Sequence, residues 1–404
     1  PEEYDGNRSP ARTDGILAWS AQYALSGFAA LSLELIWFRV LGSLIKSIAL
    51  TFSILLTIYL GCMAMGTLAG TWLAKRHTRD QVMRWFLLAQ YFLYLYCGVA
   101  FVLFIALLGQ WAPLDPLWDY FRSYEPDLTP RMLLSTHVII PLFLMGPPTF
   151  LMGMSFALSQ AVLQDRYEEV GRKVGWLQFV NIVGSAVGAC WLSWFGFDLF
   201  GTAVLLKSIV LIGIVYIGVL HFQQRRALLR SGILLVMLVG VVLALPGNAG
   251  FWLRLNGMDD PGKFFYDENG SGLSIVKQLE RDGELMGVVF ANGLGQSRMP
   301  YRIDPAHIGL GALPVLLHSN PLDVAVVGMG SAGTLYGTAC HPGTRSITCF
   351  EIMSNQPGVL RSYAEQVKDS AVLRILNDAR LRTITNDGRY ELKVGADRYD
   401  IIEA

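Results

Sequence analysis

A glycine-rich turn followed by an acid gives this chain its clearest chemical signal. The stretch Gly328-Met329-Gly330-Ser331-Ala332-Gly333 fits G-x-G-x-x-G, and Glu351 ends the next apolar run. Glycines let a turn bend tightly and let its backbone approach a ligand, while the free N–H groups of the following helix favour an anion. An acid at the tip of the second strand can accept hydrogen bonds from two ribose hydroxyls. The pattern therefore predicts a nucleotide-type site.

The residues around this motif have the elements that such a site requires. Asp323–Val327 is a short apolar run that predicts a buried strand, the residues up to Cys340 suit a helix, and 346–350 predicts a second strand. A lone G-x-G-x-x-G is weak evidence, but the order of strand, turn, helix, strand and acid strengthens it. The alternative is an α/β turn in which small residues serve packing alone.

The composition divides the chain into a membrane part and a globular part. Of its 404 residues, 53% are hydrophobic and 16% are charged, and a formal net charge of zero gives no basic footprint for nucleic acid. Apolar residues form long blocks up to about Pro246, whereas the composition after Gly250 is that of a soluble domain. Seven blocks approach or exceed the roughly 20 residues of a membrane-spanning helix: 16–41, 47–73, 83–109, 132–163, 174–196, 199–221 and 231–246.

We therefore predict a bundle of about seven helices in the lipid bilayer over residues 16–246. A tail over 1–15 would precede it, and a linker over 247–262 would follow. Pro141 and Gly146-Pro147-Pro148 predict a kink or a break in the fourth block. If the two halves of that block crossed separately, the number of crossings would be eight.

The distribution of Lys and Arg between the short loops predicts the orientation in the membrane. Twelve lie in the tail and in every second loop: Arg8, Arg12, Lys75, Arg76, Arg79, Arg84, Arg166, Arg172, Lys173, Arg225, Arg226 and Arg230. The opposite loops carry three, which are Lys46, Arg122 and Arg131. The first set should therefore be cytoplasmic, and seven crossings would place the globular part outside the cytoplasm. Eight crossings would place it inside.

Polar residues within the apolar blocks allow a second interpretation, a transport path. They are scattered and mostly lie near predicted helix ends: Glu34, His137, Asn181, Asp198 and Lys207. Helix packing is favoured instead, because 66–70 reads G-x-x-x-G. The five cysteines show no C-x-x-C pattern, and the histidines are irregularly spaced, so neither a metal site nor covalent haem is predicted.

The globular part begins with a β pattern. Two apolar runs, 273–279 and 284–291, flank the turn Arg281-Asp282-Gly283 and predict a hairpin. This predicts a β-hairpin subdomain over residues 263–300.

Alternating helices and strands follow the hairpin. We predict a helix at 305–317, the glycine-turn unit, and strands at 381–385 and from Tyr399 onward. The fold class is thus a multispanning helical membrane bundle followed by an α/β Rossmann-like, methyltransferase-type domain over 301–404. Because the fourth strand has only begun when the sequence ends, we expect the domain to continue beyond Ala404.

The stretch from about 264 to 404 resembles the spermidine synthase (aminopropyltransferase) family. The matching motifs follow the family's order: 291–296, where the family has L-D-G-x-x-Q, then the glycine loop, Glu351, Asn386-Asp387-Gly388 and Tyr399-Asp400-Ile401-Ile402. The membrane half is similar to the multispanning N-terminal region of some bacterial members, through 26–30, Glu34, Trp37, Arg39 and 148–153. The resemblance implies a multi-pass protein of the bacterial inner (cytoplasmic) membrane.

The resemblance also implies a reaction, the transfer of an aminopropyl group from decarboxylated S-adenosylmethionine to a diamine such as putrescine. Methylthioadenosine would be the product, and no covalently bound cofactor is implied. By position, Glu351 would hold the ribose hydroxyls, Asp387 would hold the adenine amino group, and Gln296 would line the donor site. The loop beneath the donor would consist of Gly328, Gly330, Ser331 and Gly333.

The chain departs from the family on the amine side of that site. Ser331 and Asn292 each stand where the family has an Asp, and the family's Tyr-His-Glu appears only as Ala306-His307-Ile308. The family's catalytic Asp would fall beyond Ala404, so the catalytic residue is unknown. A diamine bound in a partly buried site without these acids would leave charges unpaired, which is costly.

Two functions of different classes follow. One is a membrane-anchored aminopropyltransferase or related transferase with a nucleoside donor, which the acids Glu351 and Asp387 favour. The other is a catalytically degenerate membrane subunit that docks in a larger membrane protein complex. The missing amine-site acids favour it, and so does the expected extracytoplasmic position, where an adenosyl donor is scarce. A weaker alternative is a transporter whose globular domain senses nucleosides.

Overall fold

The computed structural model describes residues 13–46, 51–126, 128–163, 170–223, 228–281 and 283–404. Within these residues, six helices are long and apolar enough to cross a membrane, and a bent helix pair makes a seventh if it is one span. The C-terminal part contains a parallel sheet with helices between its strands. The architecture is therefore a multispanning helical bundle followed by a Rossmann-like α/β domain, as predicted.

The N-terminal part contains twelve α-helices among the described residues. Their bounds are Thr13–Ile45 (α1), Thr51–Arg76 (α2), Arg79–Leu107 (α3), Asp115–Arg122 (α4), Pro130–Leu134 (α5), Ile140–Leu163 (α6), Val170–Trp191 (α7), Phe197–Leu199 (α8), Thr202–Leu211 (α9), Gly213–Gln223 (α10), Leu228–Ala244 (α11) and Asn248–Leu255 (α12). Two π-helical turns, Ser135–Ile139 and Leu192–Gly196, join α5 to α6 and α7 to α8.

The fourth apolar block is one span, Pro130–Val162, and does not divide into two crossings. Its irregularity is the π turn, at the end of which N–H of Ile140 donates to O of Ser135. Pro141 has no N–H to continue the ordinary α-helical pattern, which is consistent with a wider turn at this point. Pro147 and Pro148 lie inside α6 without ending it.

The G-x-x-x-G stretch of α2 packs closely against α6, as predicted. A Cβ on Gly66 would lie 1.8 Å from O of Phe150, and one on Gly70 would lie 2.6 Å from O of Met154. The two backbones can approach this closely only because these positions carry no side chain.

The segment 247–262, which the sequence predicts to be a linker, contains the helix α12. Helices α11 and α12 meet at a bend of 71°. Phe251 and Trp252 of α12 are fully buried in the core of the bundle. Half of the predicted 247–262 linker is therefore a packed helix, because these two aromatic side chains find apolar partners there.

The described residues of the globular part form two four-stranded sheets and five α-helices. Its strands are Phe264–Asn269 (β1), Gly272–Arg281 (β2), Glu284–Ala291 (β3), Leu294–Met299 (β4), Asp323–Val327 (β5), Ser346–Glu351 (β6), Leu381–Thr385 (β7) and Ile401–Glu403 (β8). Its helices are Pro305–Leu317 (α13), Gly333–Ala339 (α14), Gln356–Val367 (α15), Ser370–Leu376 (α16) and Gly388–Val394 (α17). The first sheet is antiparallel in the order β1-β2-β3-β4, and the second is parallel in the order β7-β6-β5-β8.

The antiparallel sheet is buried on both faces, and alternate residues of β2 belong to two different cores. Leu273 and Ile275 join the apolar core of the membrane bundle. Val276, which points to the opposite face, joins the core of the Rossmann-like domain. Since side chains alternate across a strand, a single register fixes both packing surfaces.

Polar contacts attach this sheet to one end of the bundle. The guanidinium of Arg39 donates to O of Asn269 over 2.6 Å and to O of Gly272 over 2.9 Å. The carboxylate of Glu268 accepts from N–H of Thr202 over 3.0 Å. N–H of Gly270 donates to Asp198 over 2.5 Å. The globular part therefore lies at the end of the bundle where α1 ends and α9 begins.

One buried lysine, Lys277, and one half-buried lysine, Lys46, make further polar contacts at the same junction. The ammonium of Lys277 donates to O of Phe121 over 2.6 Å and to O of Asn256 over 3.0 Å. The ammonium of Lys46 donates to two carbonyl oxygens of the segment 120–123, each over 2.6 Å. Both ammonium groups also lie within 6 Å of the centre of the Phe290 ring. Burial lowers the pKa of Lys46 to about 7, and burial followed by the charges of Lys46 and Arg122 lowers the pKa of Lys277 well below its usual value.

Two hairpin turns offer a test of how the sheet docks on the bundle. Gly283 and Gly293 both have positive φ, of 79° and 85°. A Cβ at Gly283 would meet nothing within 4 Å, whereas one at Gly293 would lie 2.0 Å from O of Ser43. Gly283→Ala should therefore cost only the backbone strain of about 1–2 kcal/mol. Gly293→Ala should cost clearly more, as measured by chemical unfolding of the purified chain in detergent. Equal losses would show that the turn does not pack against α1.

From the lowered pKa of Lys46 we predict that the stability of the folded chain depends on pH. The pKa of Lys46 is about 7 in the folded chain and 10.5 in the absence of such burial. The unfolded chain therefore binds more protons between these values, and the free energy of unfolding should rise as the pH increases from about 7 to about 10. Thermal unfolding of the wild-type chain across this range would measure the rise.

Lys46→Met should reduce that slope, whereas Lys393→Met, on the exposed side of α17, should leave it unchanged. The same slope in all three proteins would contradict the assignment to Lys46.

Candidate functional site

The glycine loop between β5 and α14 has the backbone that only a glycine-rich turn adopts readily. Gly328 has φ of 91°, Gly330 has φ of 51°, and Ala332 is left-handed with φ of 64°. A Cβ on Gly328 would meet nothing within 4 Å. The positive φ therefore requires glycine there, and the space above the backbone stays open for a ligand.

The antiparallel sheet and α15 hold this loop in place. N–H of Ser331 donates to Oγ of Ser297 over 2.7 Å, and the hydroxyl of Tyr301 donates to O of Ser331 over 2.9 Å. The amide of Gln356 donates to O of Gly330 over 2.9 Å. Each bond joins the loop to a residue distant in sequence, so the shape of the loop depends on the docking of the sheet.

Glu351 lies at the tip of β6, where the motif predicts a ribose-binding acid, and it is 7% exposed. One carboxylate oxygen accepts from N–H of Met329 over 2.6 Å, and the other accepts from N–H of Met353 over 2.8 Å. Each oxygen retains lone-pair capacity for another donor. Glu351 therefore already supports the loop and can accept ligand hydroxyls only in addition to these two bonds.

A cavity of about 590 Å³ opens in front of the loop. Four of the residues predicted for the donor site line it: Gln296, Gly328, Gly330 and Glu351. They come from β4, from the loop after β5 and from the end of β6. The fold thus brings together residues that are up to 55 positions apart in the sequence (351 minus 296).

The other three predicted residues are not among those that line this cavity. Ser331 is 1% exposed, and Gly333 lies beneath the loop, where a Cβ would be 3.2 Å from Cβ of His307. Asp387 is exposed and accepts from N–H of Tyr390 over 3.1 Å, so it caps α17. The donor-binding roles of all seven residues stay predictions.

The wall of the cavity has few acidic groups. Among the described residues that line it, Glu351 is the only carboxylate. Asn292 also lines the cavity, and its side-chain oxygen accepts from N–H of Leu273 over 2.9 Å. His307 pairs with Asp304 over 2.8 Å, and neither residue lines the cavity.

Sequence reasoning missed the residues that the membrane helices contribute. Phe38 and Gly42 of α1 and Thr51 and Phe52 of α2 form part of the cavity wall. No motif marks them, because their place in the wall follows from the docking of the globular part on the bundle. The rings of Phe38 and Phe52 are stacked, with centroids 5.5 Å apart.

Comparison with known proteins leaves the family open. No family model matches the chain, and no curated protein matches it. Among solved structures, a spermidine synthase in complex with the transition-state analogue AdoDATO matches with 18% sequence identity and a TM-score of 0.24. The match covers 35% of this chain and 54% of that chain, so about half of the synthase has a counterpart here. At this TM-score the match carries no argument about activity.

Proposed function

We propose that the protein is a membrane-anchored, spermidine-synthase-like transferase whose glycine loop binds the adenosine part of a donor such as decarboxylated S-adenosylmethionine. The observation that carries the proposal is the open cavity at Gly328, with Gln296 and Glu351 on its wall. A flat adenosine group can approach the loop backbone there, and its ribose hydroxyls can donate to the carboxylate.

Aminopropyl transfer would require little covalent chemistry from the protein. The acceptor nitrogen forms a bond to the carbon beside the sulfonium, the C–S bond breaks, and its electron pair remains on sulfur as methylthioadenosine leaves. The nitrogen gives up a proton to a base, so the protein must position both substrates and keep the amine neutral. The loop, Gln296 and Glu351 would supply the positioning of the donor.

A second candidate is a catalytically degenerate membrane subunit that docks in a larger complex. The observation that favours it is the double use of Glu351, whose two oxygens already accept from backbone N–H groups. The scarcity of carboxylates on the cavity wall also fits a domain that has kept the fold without the amine site. In this case the loop would serve folding, and no nucleoside would bind.

We also propose that the globular part lies outside the cytoplasm. It contacts the bundle at the end where α1 ends, next to Lys46 and α4, and the loops there carry three basic residues against twelve on the opposite side. Basic residues are enriched in cytoplasmic loops. In this orientation the donor would have to be available outside the cytoplasm, which makes the side of the membrane a direct test of the transferase.

Calorimetry with methylthioadenosine tests the nucleoside site. The wild-type chain in detergent should bind it, and Glu351→Gln should bind it about ten- to a hundredfold more weakly. A hydrogen bond to a charged group contributes about 1.5–3 kcal/mol, and each 1.4 kcal/mol is a factor of ten.

Two controls separate ligand binding from support of the loop. Glu284→Gln changes an exposed carboxylate of β3 that pairs with Arg302, and it should bind as the wild type does. Gln296→Ala changes a cavity-lining residue whose side-chain amide donates within β4, to O of Leu294. It should therefore weaken binding while the unfolding temperature stays the same. Absence of binding by the wild type would favour the docking subunit.

Thiol labelling in intact bacterial cells tests the orientation. Ser319 is exposed in the globular part, and Asp80 is exposed at the opposite end of the bundle. In a background without the native cysteines, Ser319→Cys should react with an impermeant thiol reagent before lysis, and Asp80→Cys should react only afterwards. The reverse pattern would place the globular part in the cytoplasm and overturn the orientation.

A further inference from the structure

The cavity at the glycine loop has two kinds of wall. The globular side is formed by the loop, the turn after β3 and the residues after β6. The other side is formed by Phe38 and Gly42, near the end of the first membrane span, and by Thr51 and Phe52, at the start of the second. A ligand in the cavity would therefore touch the ends of two membrane-spanning helices as well as the glycine loop.

The membrane side of the cavity is largely apolar. Phe52 belongs to a membrane span, and its ring stacks on that of Phe38, so the two rings form an apolar part of the cavity wall. Across the cavity, Leu294, Ile352 and Met353 add further apolar surface from the globular part. An apolar surface that begins at span ends and continues into a globular domain is suited to an alkyl chain, because contact with these side chains removes part of the chain's surface from water.

The charges argue against a free diamine in the same place. A diamine carries two ammonium groups, and Glu351 is the only carboxylate among the described lining residues, with both oxygens already accepting N–H groups. Desolvating a second ammonium without an anionic partner is unfavourable. The chemistry of the wall fits a ligand with one polar end and one apolar end.

We propose that the second ligand of this cavity is a membrane amphiphile with an amine at its polar end, whose alkyl chain lies along Phe38 and Phe52 and whose amine faces the donor at the glycine loop. The proposal rests on the function proposed above, because the donor would occupy the loop side and the amphiphile would be the acceptor. It replaces the soluble diamine with an acceptor that the bilayer delivers.

A photoreactive lipid tests the path. The full chain is reconstituted into phosphatidylcholine vesicles that contain a small fraction of a phosphatidylethanolamine with a diazirine next to the ester of one acyl chain, close to the polar end. After irradiation, adducts are located by mass spectrometry of the digested protein. We expect adducts at Ile352 and Met353, which lie in the globular part and line the cavity, and none at the exposed loop 342–343 on another side of that domain.

A matched pair of glycines supplies the blocking variant and its control. A Cβ on Gly42 and a Cβ on Gly61 would each meet nothing within 4 Å, and both glycines lie within spanning helices. Only Gly42 lines the cavity. Gly42→Leu should therefore reduce the adducts at Ile352 and Met353 at least about tenfold, because its side chain would fill the entrance, whereas Gly61→Leu should leave them unchanged.

The outcomes separate this proposal from the nucleoside site. If 352–353 is labelled no more than 342–343, or if Gly42→Leu labels as the wild type does, the lipid path is wrong even when methylthioadenosine binds. If labelling follows the expected pattern but methylthioadenosine does not bind, the lipid path stands and the transferase fails. Gly42→Leu and Gly61→Leu should both unfold at the temperature of the wild type, since a Cβ at either position meets nothing within 4 Å. Reduced labelling at an unchanged unfolding temperature reports a blocked path and not a disturbed fold.

Discussion

The structure depends on an antiparallel sheet whose two faces are buried in different cores. Leu273 and Ile275 pack with the membrane helices. Val276, the next residue of β2, has its side chain on the opposite face and packs with the Rossmann-like domain. Burial of apolar area on both faces stabilises a single register, because a shift by one residue would exchange the faces. The sheet thereby sets the distance between the ends of the spans and the glycine loop.

The candidate site follows from this arrangement. Ser297 and Tyr301, in and just after β4, make hydrogen bonds to the backbone of Ser331 in the loop. The carboxylate of Glu351 accepts from N–H of Met329 in the same loop. The loop is thus formed by contacts that the globular part makes within itself, and the cavity is completed only where Phe38 and Phe52 face it. Nucleoside binding and lipid access would use different residues of the same cavity.

The distribution of charge at the junction has a chemical consequence for the site. The lysines near the bundle end, Lys277 (buried) and Lys46 (half-buried), contact carbonyl oxygens and the ring of Phe290, and these contacts join the two parts of the chain. The cavity itself holds a single carboxylate, Glu351, among the described lining residues. A donor with a sulfonium group already draws on this one carboxylate, so the two ammonium groups of a free diamine would find little further compensation, whereas an alkyl chain needs none.

The sequence by itself determined the local features. Apolar blocks long enough to span a bilayer, the strands around Gly328 and the acid at position 351 follow from periodicity and turn chemistry, and the structure has them at these places. It did not determine that residues of the predicted linker form α12, that Asp387 caps a helix, or that Phe38 and Phe52 line the cavity. Those outcomes depend on contacts between segments far apart in the chain, and a local pattern carries no information about which buried partner a side chain finds.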